Sequence, residues 1–174
     1  KNTLLGASAG ESLTIGNNNV AVGYEALAVS VDGDYNTAVG HQALQDYEDG
    51  DGNGHNTAVG NRSQLNATTG EFNTSVGSLS MGAGVTTGDY NVALGYEAGK
   101  SLTSGHSNIL IGWKTGDVLT TGIKNVAVGH AALGAEDGNS LNVAVGYAAL
   151  NTLNAGADGY NVAVGFEAGK LIST

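Results

Sequence analysis

A five-residue pattern that begins with Asn and ends with an aliphatic residue and Gly occurs ten times in this 174-residue chain. Repetition at a short, nearly fixed period is typical of solenoids, in which each copy packs only on its neighbours. Successive motif glycines are 17 to 20 residues apart, and the extra residues fall between motifs, as loop insertions do. The motif asparagines are Asn2, Asn19, Asn36, Asn56, Asn73, Asn91, Asn108, Asn125, Asn142 and Asn161.

The residues inside each motif alternate as they do in a β-strand. In one copy, Val92 and Leu94 flank Ala93, which is a period of two. The residue before the motif glycine is aliphatic in every copy, and the residue two before it is Val, Ile or Thr. The residue between them is small in eight copies, with Leu4 and Leu110 as the exceptions. We therefore predict a strand with one aliphatic face and one small face, and we expect the small face to lie close to another backbone.

A Thr-rich stretch precedes the next asparagine in many copies and suggests a second short strand. A glycine follows it, three residues before the asparagine, and we predict that this glycine forms a turn with positive φ. The glycines at this position are Gly16, Gly33, Gly70, Gly88, Gly105 and Gly122. The sequence thus predicts an all-β fold without helices, a parallel β-solenoid (β-roll) of about ten rungs of 17–20 residues. Residues 1–174 would form a single tandem-repeat domain, and we expect it to be a segment of a longer fibre, because nothing resembling a cap is evident.

The repeated asparagine has a structural explanation. Identical residues on adjacent rungs of a parallel coil lie roughly 4.8 Å apart. Stacked side-chain amides at that spacing can hydrogen-bond along the stack. We therefore predict a structural ladder formed by the motif asparagines.

Composition and charge exclude several partners. The formal net charge is −10, with 6 basic and 16 acidic residues, so we expect no nucleic-acid binding, which requires clustered Lys and Arg. No apolar run is long enough to span a bilayer, so direct membrane insertion is not expected. The absence of Cys rules out disulfides and thiolate metal sites.

The repeat resembles two known families. The segments 36–44 and 161–168, Asn-Thr-Ala-Val-Gly-His-Gln-Ala-Leu and Asn-Val-Ala-Val-Gly-Phe-Glu-Ala, are similar to the head repeat of trimeric autotransporter adhesins of the YadA type. They are also similar to the repeat of bacteriophage tail-fibre proteins, whose loops are longer, as they are here. The resemblance covers the whole chain. It implies a left-handed parallel β-roll, a homotrimer around one axis with the small strand face at that axis, and an extracellular location on a cell-surface appendage or a virion tail.

One acidic loop is a candidate calcium site. It occupies the longest insertion and offers Asp46, Asp49, Asp51 and Asn53, and hard oxygen ligands on a Gly-rich turn suit calcium. The spacing does not complete an EF-hand, because the bidentate Glu at position twelve is missing. A solvated loop is the alternative, and no other metal or cofactor is expected. The four histidines fall on different rungs without ligand spacing.

Aromatic residues recur at two repeat positions. The position before the asparagine holds Tyr35, Phe72, Tyr90 and Tyr160. These rings either cover the edge of the roll and pack rung on rung, or stack against sugar rings. The position after the motif glycine supplies the candidate glycan-stacking residues Tyr24, Tyr96, Trp113, Tyr147 and Phe166.

The sequence leads to a structural hypothesis and an adhesive one. The first is a shaft or head segment of an extracellular or virion fibre, similar to a phage tail fibre and involved in host attachment. The alternatives are a bacterial trimeric adhesin head that binds a host cell-surface glycan or protein, and a self-stacking filament subunit. We predict no catalytic residues and no enzymatic activity, because a slim rod offers little cleft for paired catalytic groups.

Overall fold

The computed structural model describes residues 1–48, 53–135, 137–153 and 159–172. These residues contain ten strands of three residues each and no helix. The strands form one parallel sheet in chain order, so each strand pairs with the next one in the sequence. The predicted all-β parallel solenoid is confirmed, with about nine turns. The strands are β1 Thr3–Leu5, β2 Val20–Val22, β3 Thr37–Val39, β4 Thr57–Val59, β5 Thr74–Val76, β6 Val92–Leu94, β7 Ile109–Ile111, β8 Val126–Val128, β9 Val143–Val145 and β10 Val162–Val164.

The register is the same between all neighbouring strands. The first, middle and last residues of each strand pair with the corresponding residues of the next, as Thr37, Ala38 and Val39 pair with Thr57, Ala58 and Val59. That pair of strands spans the 20-residue interval, so the inserted residues leave the ladder undisturbed. We number the rungs 1 to 10 after their strands. Repeat positions consequently become straight rows along the solenoid.

The middle residue of each strand points into the coil. Ala21, Ala38, Ala58, Ala93 and the corresponding residues of β5 and β7 to β9 are fully buried. The prediction that this small face packs against neighbouring chains at a trimer axis is therefore wrong. A strand pattern of period two defines two faces but not which one points inward. Here the small residues line the narrow interior of their own coil.

The interior is filled by size complementarity between the strand and the turn after it. The fourth residue after the motif glycine is large and buried in rungs 2 to 5, 8 and 9, as in Leu27, Leu44, Leu133 and Leu150, whereas it is Gly in rungs 6 and 10 although their strand centres are Ala. In rung 7 the strand centre is the large Leu110, and Gly116 holds the fourth position. A Cβ on Gly116 would lie 3.0 Å from Leu110 Cδ2, and a Cβ on Gly99 in rung 6 would lie 2.8 Å from Leu110 Cδ1.

A polar seam divides the core between rungs 4 and 5. The Gln64 side-chain amide donates to Ser75 Oγ at 2.9 Å and to the Thr57 carbonyl at 3.2 Å, and Ser63 Oγ lies within hydrogen-bond distance of Ser75 Oγ. All three side chains of Ser63, Gln64 and Ser75 are fully buried. Gln64 Oε1 has no hydrogen-bond partner among the described residues. One apolar cluster therefore ends at rung 4, and a second begins at Met81 in rung 5.

The predicted second strand of each coil does not form. Each described rung contains one three-residue strand, and the Thr-rich stretch is a series of bends. Isolated hydrogen bonds still join adjacent rungs there, for example from Thr103 N–H to the Thr120 carbonyl at 2.9 Å. A narrow coil has to change direction within this stretch, which interrupts the continuous ladder that a strand requires.

The glycines before the asparagines do not adopt the predicted positive φ. Close approach explains them instead: a Cβ on Gly88 would lie 2.1 Å from the Gly105 carbonyl oxygen of the next rung. Positive φ occurs at the motif glycines, such as Gly95 with φ of 138°, and at many non-glycine residues of the turns. The chain therefore uses glycine mainly where successive backbones nearly touch.

Candidate functional site

The first and third residues of each strand form two outer rows on the solenoid surface. These positions hold Val, Ile, Leu or Thr in all ten strands and carry no charged residue. Most are half-buried, and Val76 and Ile109 are 40% and 41% exposed. We call this surface the outer strand face. It is a flat, uncharged, partly apolar strip along the described part of the solenoid, and such a strip is typical of an interaction surface.

The motif asparagines form one row beside this face, buried from Asn19 to Asn142, with Asn2 exposed and Asn161 half-buried at the ends. In each step, Oδ1 of one asparagine accepts a hydrogen bond from the backbone N–H of the asparagine on the next rung, at 2.8–3.1 Å. Asn108 shows the full pattern. Its Oδ1 accepts from both the backbone and side-chain N–H of Asn125, and its Nδ2 donates to Asn91 Oδ1 and to the Gly122 carbonyl at 2.9 Å. Each asparagine thus satisfies buried backbone groups as well as its own side chain.

Two rows of aromatic side chains border the outer strand face. In the row before the asparagines, Tyr35, His55, Phe72 and Tyr90 form one continuous stack. Their ring centroids are 4.7–5.1 Å apart and their planes differ by only 6–8°. The sequence analysis missed His55. It occupies the same repeat position as the tyrosines, directly before the motif asparagine. Its position in the repeat could therefore have identified it as a member of the stack, whereas its residue type could not.

The row after the motif glycines contains a second stack and one shorter pair. Trp113, His130, Tyr147 and Phe166 are in contact in that order, with centroids 4.6–5.0 Å apart. Tyr24 stacks on His41 in rungs 2 and 3 at 5.6 Å. A ring inside these stacks, such as Tyr147, has a neighbouring ring on both sides, whereas the end rings Tyr24, Trp113 and Phe166 have one on a single side. Sugar rings stack on aromatic faces, so four of the five candidate glycan-stacking residues have at least one face already occupied.

Tyr96 is the exception among the five candidates. Lys114 N–H donates to the Tyr96 carbonyl at 2.9 Å, so the backbones of rungs 6 and 7 are adjacent there. The Tyr96 ring nevertheless makes no ring contact with Trp113, and its other neighbour in the row is the small Ser78. Tyr96 and Trp113 are 47% and 54% exposed. The aromatic row therefore has an opening at Tyr96, which has no stacked ring on either side.

A charged cluster lies beside this opening. Lys100 Nζ is 2.9 Å from Glu97 Oε1, and Lys114 Nζ is 3.6 Å from Glu97 Oε2. The hydrogen bond from Lys100 lowers the pKa of the Glu97 carboxyl, and the Tyr96 hydroxyl acts in the same direction. Burial raises the pKa of the nearby Asp117 carboxyl. Rung 10 contains the related pair Glu167 and Lys170, at 2.7 Å, but there the neighbouring rings are stacked.

The calcium candidate is placed only in part. Asp49 and Asp51 lie outside the described residues. Asp46 is half-buried, and burial raises the pKa of its carboxyl. The Asn53 carbonyl accepts a hydrogen bond from the Tyr47 hydroxyl at 2.8 Å. Within the described ranges, no group of three or more His, Asp or Glu residues is arranged to hold a metal ion. The calcium site stays a prediction.

No helix among the described residues could cross a membrane. Comparisons with protein-family models, with curated proteins and with solved structures found no match for this chain. The sites described above are therefore interpreted from their own geometry.

Proposed function

We propose that this chain is a shaft segment of an extracellular or virion fibre that takes part in host attachment, and that it assembles as a homotrimer through the outer strand face. The observation that carries this proposal is the uncharged outer strand face, which repeats in the same register on all ten rungs. A fibre shaft requires a rod that transmits load, and the constant register supplies one. The chain has no predicted catalytic role.

The outer strand face fits association between identical copies. Its apolar rows run straight along the solenoid, so a second and third copy aligned side by side would meet them over the full described length. The face carries no charged residue although the chain has a formal net charge of −10. The acidic residues that would repel one copy from another therefore lie on other surfaces of the solenoid. Burial of about 25 cal/mol per Å² of apolar surface would then favour the assembled state.

The test is a pair of Val→Lys substitutions at matched positions. Val128→Lys combined with Val145→Lys places charges on two adjacent rungs of the outer strand face. We expect the assembled protein to dissociate, as measured by sedimentation equilibrium. The control, Val118→Lys, alters a valine that is 40% exposed in a turn and should leave the mass unchanged. An unchanged mass in the double variant would show that the copies associate elsewhere or do not associate.

A second candidate function is an adhesin head that binds a host glycan directly. Tyr96 and Trp113 favour it, because each ring is about half exposed and Tyr96 has no stacked ring on either side. A shaft would show no affinity for glycans, whereas a head would bind them through this region. The two functions are compatible in one trimeric fibre.

A further inference from the structure

We infer that the surface between rungs 6 and 7 is a binding site for a neutral pyranose with neighbouring hydroxyl groups, formed by the open rings of Tyr96 and Trp113 and the adjoining cluster of Glu97, Lys100 and Lys114. This inference deepens the proposed attachment function and rests on it. It concerns one position on the rod, whereas the shaft proposal concerns the whole outer strand face.

Aromatic faces are the first requirement of such a site. A pyranose has a face of C–H groups with partial positive charge, and an aromatic ring has a negative face that attracts them. Inside the four-membered stacks both faces of a ring are occupied by neighbours about 5 Å away, as at Phe72 and Tyr147. Tyr96 has no stacked ring on either side, because its neighbour on one side is Ser78 and its ring makes no ring contact with Trp113 on the other. Trp113 has a ring partner on one side only, His130, at an interplanar angle of 45°.

Donors and acceptors for hydroxyl groups are the second requirement. The ammonium groups of Lys100 and Lys114 each carry three N–H donors, and Glu97 supplies carboxylate oxygens. The lysine side chains are 36% and 44% exposed, whereas that of Glu97 is 9% exposed and fixed by its ion pairs. The Glu97 carboxylate can accept a hydrogen bond from one sugar hydroxyl, and the ammonium groups beside it can donate to a neighbouring hydroxyl.

The charge of the cluster selects a neutral sugar. The two lysines are balanced by Glu97 and by Asp117, whose charge interacts with both of them. An anionic sugar would meet this balanced cluster on a chain of formal net charge −10 and gain little from it. A neutral pyranose is not repelled by the negative charge of the chain, and it can use the same hydrogen-bond donors and acceptors.

Rung 10 provides an internal control for the polar part of the site. Gly165 to Lys170 repeats the sequence pattern of Gly95 to Lys100, including the Glu–Lys pair. The Phe166 ring is stacked on Tyr147 on one side and is 75% exposed, but no second lysine joins the pair. The same motif without the second lysine should not bind.

The experiment uses Trp113, the single tryptophan of the chain, as the reporter. The full chain is titrated with maltoheptaose, cellopentaose and a mannan oligosaccharide, while tryptophan fluorescence and saturation-transfer NMR are recorded. At least one probe should shift the fluorescence and saturate. Tyr96→Ala should weaken its binding about tenfold, the size expected for loss of one aromatic contact. The control Phe166→Ala should bind within about twofold of the unaltered chain.

Two results would overturn the inference. One is the absence of both fluorescence change and saturation transfer with all three probes. The other is binding that Phe166→Ala weakens as much as Tyr96→Ala does. If Tyr96→Ala fails to fold, Lys100→Gln tests the polar half of the site by the same titration, and an unchanged affinity there contradicts the assignment. A trimer that binds no probe would retain the shaft proposal, whereas a monomer that binds would retain the sugar site alone.

Discussion

The inner and outer faces of each three-residue strand differ in the side chains that they tolerate. The inward residue of β9, Ala144, is fully buried, while its neighbours Val143 and Val145 are half-buried on the outer strand face. The interior therefore specifies side-chain size rung by rung. The exterior specifies only that the residue be uncharged and suited to a strand. Interior positions carry the stability of the single chain, and exterior positions carry its proposed association.

The strongest test of this difference is one charge on each face of β9. Ala144→Asp would bury a carboxylate among apolar groups without a partner, and we expect it to lower the free energy of unfolding by more than about 4 kcal/mol. Val143→Lys on the same strand should cost less than about 1 kcal/mol in the single chain. Chemical denaturation of both variants at a concentration where the chains are dissociated would measure the difference. Equal losses would contradict the assignment of the two faces.

The asparagine row should give the next largest effect. Asn108→Ala removes the acceptor for Asn125 N–H and the donor to the Gly122 carbonyl, leaving buried backbone groups unpaired. We expect a loss of about 3 kcal/mol, because each buried unsatisfied group costs about 1–3 kcal/mol. The control Asn61→Ala alters an exposed asparagine and should stay within about 0.5 kcal/mol. Thermal unfolding distinguishes them, and a loss no larger than that of Asn61→Ala would argue against a structural ladder.

The size complementarity of rung 7 can be tested by exchanging its large and small residues. Leu110→Ala should cost about 2–5 kcal/mol through the cavity it leaves. Adding Gly116→Leu should recover part of that loss, because Leu133 occupies the same repeat position with φ of 53°, close to the 57° of Gly116. The two changes should therefore be coupled by about 1–2 kcal/mol in a double-mutant cycle. Additive effects would show that the two positions do not share one space.

The smallest effect is expected at the polar seam. Gln64→Leu gives rung 4 the residue that rung 3 has at Leu44, and Ser75→Ala gives rung 5 the Ala strand centre that rung 4 has at Ala58. Removing the buried Gln64 Oε1, which lacks a partner among the described residues, should raise the free energy of unfolding by about 1 kcal/mol. Hydrogen exchange of rungs 4 and 5 would report the same change locally. Faster exchange in the double variant would mean that the polar seam stabilises the rod.

The strands and their rows could be predicted from the sequence, because a motif such as Asn91 to Gly95 contains a two-residue period and a fixed distance to the next copy. The direction of each face could not be predicted. Ala93 fits a narrow interior as well as a contact between chains, and only the path of the coil decides between them. Likewise, a glycine at position 88 is compatible both with a turn of positive φ and with the close approach of the next backbone. Its residue type does not distinguish these two roles, and the structure shows the close approach.

The aromatic residues of the candidate site were predicted, but their exposure and the charged cluster of Glu97, Lys100 and Lys114 were not. Tyr96 and Phe166 occupy the same repeat position, and the sequence treats them alike. Whether a ring is stacked or open depends on the residue one rung away, as His55 shows by joining Tyr35 to Phe72 in one stack. An alignment of the repeats shows which residues share a row. The orientation of each ring depends on the side chains of the neighbouring rungs, which the alignment does not show.

The central claim is that copies of this chain associate as trimers through the outer strand face, and the solution mass tests it most directly. Three chains of 17.3 kDa would sediment as a species of about 52 kDa in the unaltered protein and as single chains in the Val128→Lys, Val145→Lys variant. A single-chain mass for the unaltered protein at all accessible concentrations would contradict the claim. Open-ended polymers would contradict it as well and would support a self-stacking filament.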